Sequence, residues 1–85
     1  MAGRTALTGF FLGWTWTAAG DDRRALSAWR SAVFLDPSLV SAHLALAEAY
    51  VRLSQPALAA QALRAGLAAG PDSVEMQAKL AQLER

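Results

Sequence analysis

The chain has one histidine and no cysteine. That inventory removes disulfides, thiol nucleophiles, thiolate metal sites and any two-histidine metal site. His43 is the one imidazole available as a general base, and no acid stands three or four residues away to partner it on a helix. It reads as a packed or partly exposed structural residue. Asp21 and Asp22 are the obvious carboxylate pair, but adjacent side chains diverge on a helix, so they suit caps better than acid–base work. Glu48 and Arg52 are four residues apart, the spacing of a one-turn ion pair worth about 0.2–0.5 kcal/mol. Arg23, Arg24 and Arg30 make a modest basic patch. The net charge is only +1, from 8 Lys and Arg against 7 Asp and Glu, which does not suit a nucleic-acid partner. There is no phosphate-cradling glycine loop, no metal-ligand spacing and no Ser/His/acid set. The residues therefore predict no catalysis, no cofactor and no metal. Function has to come from shape and apolar surface.

The elements behind those residues begin with length. Eighty-five residues make one small domain. Hydrophobic residues are 54% and charged residues 18%, too apolar for a disordered chain. A chain of this size buries only about 60–65% of its unfolded surface, so some apolar area is left over. The stretch from Thr5 to Gly20 carries no charge. As a helix it would run roughly 24 Å, short of the roughly 30 Å of a bilayer core. It also contains Gly9, Gly13 and four threonines. A signal peptide is a second reading of the same stretch, with Arg4 as its basic start and Thr17-Ala18-Ala19 as a small-residue cleavage site.

A repeat organises the rest. Pro37 and Pro71 are 34 residues apart, and Asp36-Pro37-Ser38 parallels Gly70-Pro71-Asp72. Leu12, Gly13, Trp16, Ala25, Trp29 and Ala32 find Leu46, Ala47, Tyr50, Ala59, Leu63 and Gly66 at the same offset. Large residues match large, and small match small. Leu12, Gly13 and Trp16 share a helical face, as do Leu46, Ala47 and Tyr50. The small member lets a neighbouring helix approach, and the large ones fill the gap. Two antiparallel helices per unit bury both stripes.

Turn chemistry marks the ends. Gly20 follows the first helix, and Asp21 or Asp22 caps the second. Asp36-Pro37 stops that helix. Ser54 stands where Gly20 stood and is expected to cap the fourth helix, with Pro56 in its first turn. Gly70-Pro71 ends the fourth, and Asp72 with Glu75 forms a capping box for a fifth. Helices are predicted over 5–19, 22–35, 39–53, 57–69 and 73–84.

With these residues in place, the chain resembles tetratricopeptide repeat proteins. Their 34-residue helix-turn-helix unit carries Trp, Leu-Gly and Tyr on its first helix, then Ala, an aromatic, another Ala and a closing Pro. The resemblance spans nearly the whole chain: a leader at 1–5, units at 6–39 and 40–73, and a capping helix at 74–85 with Leu80-Ala81 in the Leu-Gly place. It departs at Gly9 and His43, which replace the family's Trp, and at Gly66, which replaces an Ala. The resemblance implies an all-α, right-handed array of two units plus the cap, five helices in all. It also implies a scaffold for partner proteins, often a peptide held in a concave groove lined by the first helix of each unit. Some members clamp the C-terminal carboxylate of heat-shock chaperones with Lys and Asn. Here those places hold Phe10, Trp14, Ala45, Glu75 and Lys79, and only Lys79 suits that role.

The groove is expected to be apolar at one end and polar at the other. On the first helix, Leu7, Phe10, Phe11, Trp14 and Ala18 oppose the packing face. On the third, Ser41, Leu44, Glu48, Val51 and Arg52 are mixed, and on the fifth Glu75, Ala78, Lys79 and Gln82 are polar. Leu7, Phe10, Trp14, Leu44, Glu48, Val51 and Arg52 are therefore the candidate contacts for an apolar or amphipathic peptide or helix. Trp16 and Trp29, in register with the repeat, belong to the core. The apolar first helix also admits a homodimer, and residues 1–20 admit a signal or membrane anchor. A cytoplasmic protein is expected, or an exported or periplasmic one where residues 1–19 act as a signal.

Overall fold

The computed structural model describes residues 5–70 and 72–84. Met1 to Arg4, Pro71 and Arg85, which enter the leader, signal, repeat and capping assignments, lie outside the described residues. Five helices follow in order: α1 (Ala6–Ala18), α2 (Asp22–Leu35), α3 (Val40–Arg52), α4 (Pro56–Ala69) and α5 (Val74–Leu83). There is no strand among the described residues.

The helix ends repeat bond for bond. After α1, the Gly20 N–H donates to the Thr17 carbonyl at 3.0 Å and the Asp21 N–H to the Trp16 carbonyl at 2.9 Å. These two bonds satisfy carbonyls that the helix end leaves free, in a Schellman motif. Thirty-four residues later, the Ser54 N–H donates to Val51 at 3.0 Å and the Gln55 N–H to Tyr50 at 2.8 Å. Both turns need a left-handed residue, with φ +81° at Gly20 and +61° at Ser54. Ser54 is thus a turn residue and not the expected cap. Gln55 takes the cap position without a side-chain bond, and Pro56 opens α4, where its missing N–H costs nothing.

Of the two aspartates before α2, Asp21 is the cap, its Oδ1 accepting from the Arg24 N–H at 3.0 Å. Asp22 occupies the first turn and favours the positive end of the helix dipole. At the C-terminus of α2 the Asp36 N–H reaches Ala32 and the Leu39 N–H reaches Asp36; after α4 the Gly70 and Ser73 N–H groups reach Gly66 and Gly70. The α5 cap is Ser73, whose Oγ accepts from the Met76 N–H at 3.3 Å, and not Asp72. That shift puts Met76, not Glu75, at the third helical position, so no capping box forms. Glu75 keeps a dipole role in the first turn.

Packing runs from α1 to α2, α2 to α3, α3 to α4 and α4 to α5, in a body of 42 × 26 × 15 Å. Ala25, Trp29 and Ala32 of α2 are fully buried, as are Ala59 and Leu63 of α4. The Trp29 indole N–H donates to the Phe10 carbonyl at 3.1 Å, which satisfies the one polar atom of a fully buried ring. A Cβ at Gly13 would collide with that indole. Gly13 therefore sets how closely α1 meets α2. His43 is 2% exposed, and its Nε2–H donates to the Pro37 carbonyl at 2.8 Å, which fixes the tautomer. Its Nδ1 is buried with no partner.

Two expectations for α1 change. Leu12, assigned to the packing stripe, is 48% exposed, whereas Leu46 at the same repeat position is 7% exposed. The difference is positional: α3 has helices on two sides, and α1 packs on α2. Trp16 is half-buried against the core, not enclosed, and the Arg24 guanidinium lies 4.9 Å above its ring.

Candidate functional site

A cleft of about 320 Å³ opens between α3 and α5. Ala47, Glu48, Val51 and Arg52 of α3 line one wall, and Lys79, Gln82 and Leu83 of α5 the other. Leu63 of α4 and Ala47, both buried, supply an apolar base. Val51 is about half exposed at the mouth. The 3.6-residue period explains the wall: Glu48, Val51 and Arg52 follow at spacings of three, one and four.

The rim is charged but internally neutralised. Lys79 Nζ lies 3.3 Å from Glu48 Oε2, a bridge from α5 to α3. Arg52 Nε donates to Asp22 Oδ1 at 3.0 Å, tying the end of α3 to the start of α2. The one-turn Glu48–Arg52 pair expected from spacing is replaced by these two. Helix packing brings each residue an opposite charge on another element. Each bridge is partly exposed and contributes about 0.2–1 kcal/mol, so their main effect is to fix the side chains that frame the cleft.

The candidate contacts therefore fall into two groups. Glu48, Val51 and Arg52 line the cleft, and Leu44 is half-buried beside them against the core. Leu7, Phe10 and Trp14 of α1 do not line it. They belong to an aromatic cluster of their own. The Trp14 ring meets Trp29 edge-on at 5.0 Å and Phe10 at 6.2 Å, and Phe10 meets Phe11 at 5.7 Å. Phe10 is half-buried, while Trp14 is 43% exposed and Leu7 is exposed. Trp14 is thus both a surface residue and the lid of a core tryptophan, a double role not visible in its helical position.

Some surface features were missed. Ala47, Leu63 and Leu83 line the cleft, but their spacing reads as packing alone. Phe34 on α2 is 84% exposed and forms a shallow depression with Ser27, Arg30, Ser31 and Leu35. Its signal was present: Phe34 falls off the buried Ala25, Trp29 and Ala32 stripe. Among the described residues no group of three or more His, Cys, Asp or Glu is placed to hold a metal ion. No helix among them is long and apolar enough to cross a membrane.

A tetratricopeptide repeat family model matches residues 40–83, slightly more than half of the chain. No curated protein matches it.

Proposed function

Since the chain belongs to the tetratricopeptide repeat family, whose repeats serve generally as protein–protein interaction modules, we propose that it holds an apolar or amphipathic segment of a partner protein. The segment lies along the first helices of the units at 6–39 and 40–73 and on the cap at 74–85. Its anchor is an aliphatic or aromatic side chain that enters the cleft between α3 and α5. Val51 and Leu83 contact that anchor, above the buried Leu63 and Ala47. Glu48 and Arg52 orient the segment at the rim, and Leu44, Leu7, Phe10 and Trp14 add apolar contact. Catalysis has no part in this reading.

The observation that carries it is an apolar cleft whose cations already have partners. A carboxylate ligand must break the Lys79–Glu48 or Arg52–Asp22 bridge to bind. An apolar side chain breaks nothing and gains about 1.5–3 kcal/mol from burial. Selection from a displayed library of random 16-residue peptides tests this. Selected peptides should share an apolar anchor, and Val51→Asp should weaken their binding at least tenfold with the helical circular dichroism unchanged. Selected peptides that bind parent and Val51→Asp alike would overturn the assignment.

A further inference from the structure

The outer face of α1 offers a second interaction surface, distinct from the cleft. It is defined by comparison with α3, which buries two stripes. One runs through His43 and Ala47 onto α4, where Gly66 abuts His43. The other, Ala42, Ala45, Leu46 and Ala49, is nowhere more than 7% exposed and is left for α2. On α1 the residues 34 earlier behave differently. Gly9 and Gly13 lie on α2, against Ala28 and Trp29. The second stripe, Thr8, Phe11, Leu12 and Thr15, is exposed at every position. It is the face that a helix covers in the following unit.

We propose that this face packs on the same face of a second copy of the chain, about a two-fold axis. The face is of a kind the fold buries elsewhere, since the equivalent stripe of α3 is enclosed within the chain. The face is also electrostatically self-compatible. No charged residue occurs from Thr5 to Gly20. Its hydroxyls are engaged locally: Thr15 Oγ1 donates to the Phe11 carbonyl at 3.1 Å, and Thr8 Oγ1 bonds Thr5 Oγ1 at 3.0 Å. What α1 presents outward is therefore methyl, leucine and phenyl surface.

Head-to-tail stacking does not match it. The residues that correspond to His43, Ala47 and Tyr50 are Gln77 and Ala81 of α5 and its C-cap Glu84, all exposed. Laying them on Phe11 and Leu12 would desolvate the ion pair of Glu84 with Arg64. The apolar end fits itself and not the polar end, which favours a closed pair over an open filament. The strip from Thr8 to Thr15 is only about 11 Å long, on a helix of about 20 Å, so the contact is at the small end of specific interfaces and the dimer is concentration-dependent.

Sedimentation velocity on the intact chain, from low micromolar to near millimolar, tests the proposal. The weight-average mass should rise from 9.0 kDa to a plateau at twice that value. Phe11→Glu and Leu12→Lys should each weaken the dimer at least tenfold, and Ala81→Glu should leave it unchanged. Because the chain has no cysteine, Leu12→Cys offers a readout independent of those variants' folding. It should oxidise to a disulfide-linked dimer at concentrations where Ala81→Cys does not. A monomer throughout the range, growth past two copies, loss of the dimer in Ala81→Glu, or equal cross-linking of both cysteine variants would overturn it.

Discussion

Gly66 abuts His43: a Cβ on Gly66 would lie 2.7 Å from the His43 Cβ and 2.6 Å from Met76 Sδ. The two positions are separate departures from the repeat pattern in sequence and a single contact in space. Helix α4 gives up a methyl group where α3 carries a histidine. Gly66→Ala should therefore destabilise the fold by about 1–3 kcal/mol through overpacking, although alanine is favoured over glycine in a helix by about 1 kcal/mol. Urea unfolding measures the balance. A more stable variant would mean that α3 and α5 yield at this contact without cost.

Ser54 holds a left-handed conformation that Gly20 holds in the equivalent turn. Ser54→Gly should raise stability by about 0.5–1 kcal/mol, the relief of left-handed strain less the added freedom of the unfolded chain. Gly20→Ala should lower it by about 0.5–1 kcal/mol on the same balance. Paired urea midpoints check both signs, and a loss of stability in Ser54→Gly would refute the turn equivalence.

Trp14 and Trp29 separate by burial. Trp29→Ala removes a fully buried ring and should cost about 3–5 kcal/mol. Trp14→Ala removes an edge-on contact and part of a half-exposed ring, and should cost about 1–2 kcal/mol while keeping the helical circular dichroism. Equal losses in thermal unfolding would place Trp14 in the core and take it out of any binding surface.

The turn between α2 and α3 should respond to acid. The Asp36 carboxylate accepts from the Ser38 hydroxyl at 2.6 Å and the Ser38 N–H at 3.1 Å. These bonds, the hydroxyl first, hold its pKa below the ordinary 3.8. A folded value below the unfolded one stabilises the fold above the unfolded pKa. That contribution disappears as pH falls through the folded value. Ser38→Ala should shrink the part of the acid-induced loss of stability that comes from Asp36. Urea midpoints from neutral pH down past pH 3.8 would show it. An unchanged acid limb would exclude this turn as a source.

Most of the fold was legible because the repeat supplies its own alignment. Every predicted helix end falls within one residue of the observed one. Two paired stripes at a fixed offset, with Gly and Pro between them, leave few other ways to bury the large residues. The capping residues were less legible. Ser54 and Asp72 both carry side chains able to cap, and the choice fell to their neighbours because backbone φ and register decide it. Side-chain partners were least legible. Glu48 and Arg52 satisfy a one-turn rule, yet they pair with Lys79 and Asp22 because helix packing brings those opposite charges near. Leu12 matches Leu46 in type and differs in burial, since a sequence repeat does not show which helix has neighbours on two sides.

The paired rim of the cleft has a thermodynamic consequence. With Lys79 held by Glu48 and Arg52 by Asp22, the cleft offers little net field to a segment approaching from solution. Association there should depend weakly on ionic strength, because few counterions are released or screened. Its driving force would be dehydration of the exposed Val51 and half-buried Leu83 at the cleft mouth, which gives a negative heat-capacity change. The protein would then distinguish partners by the shape of one side chain more than by their charge, and would hold them across a wide range of salt.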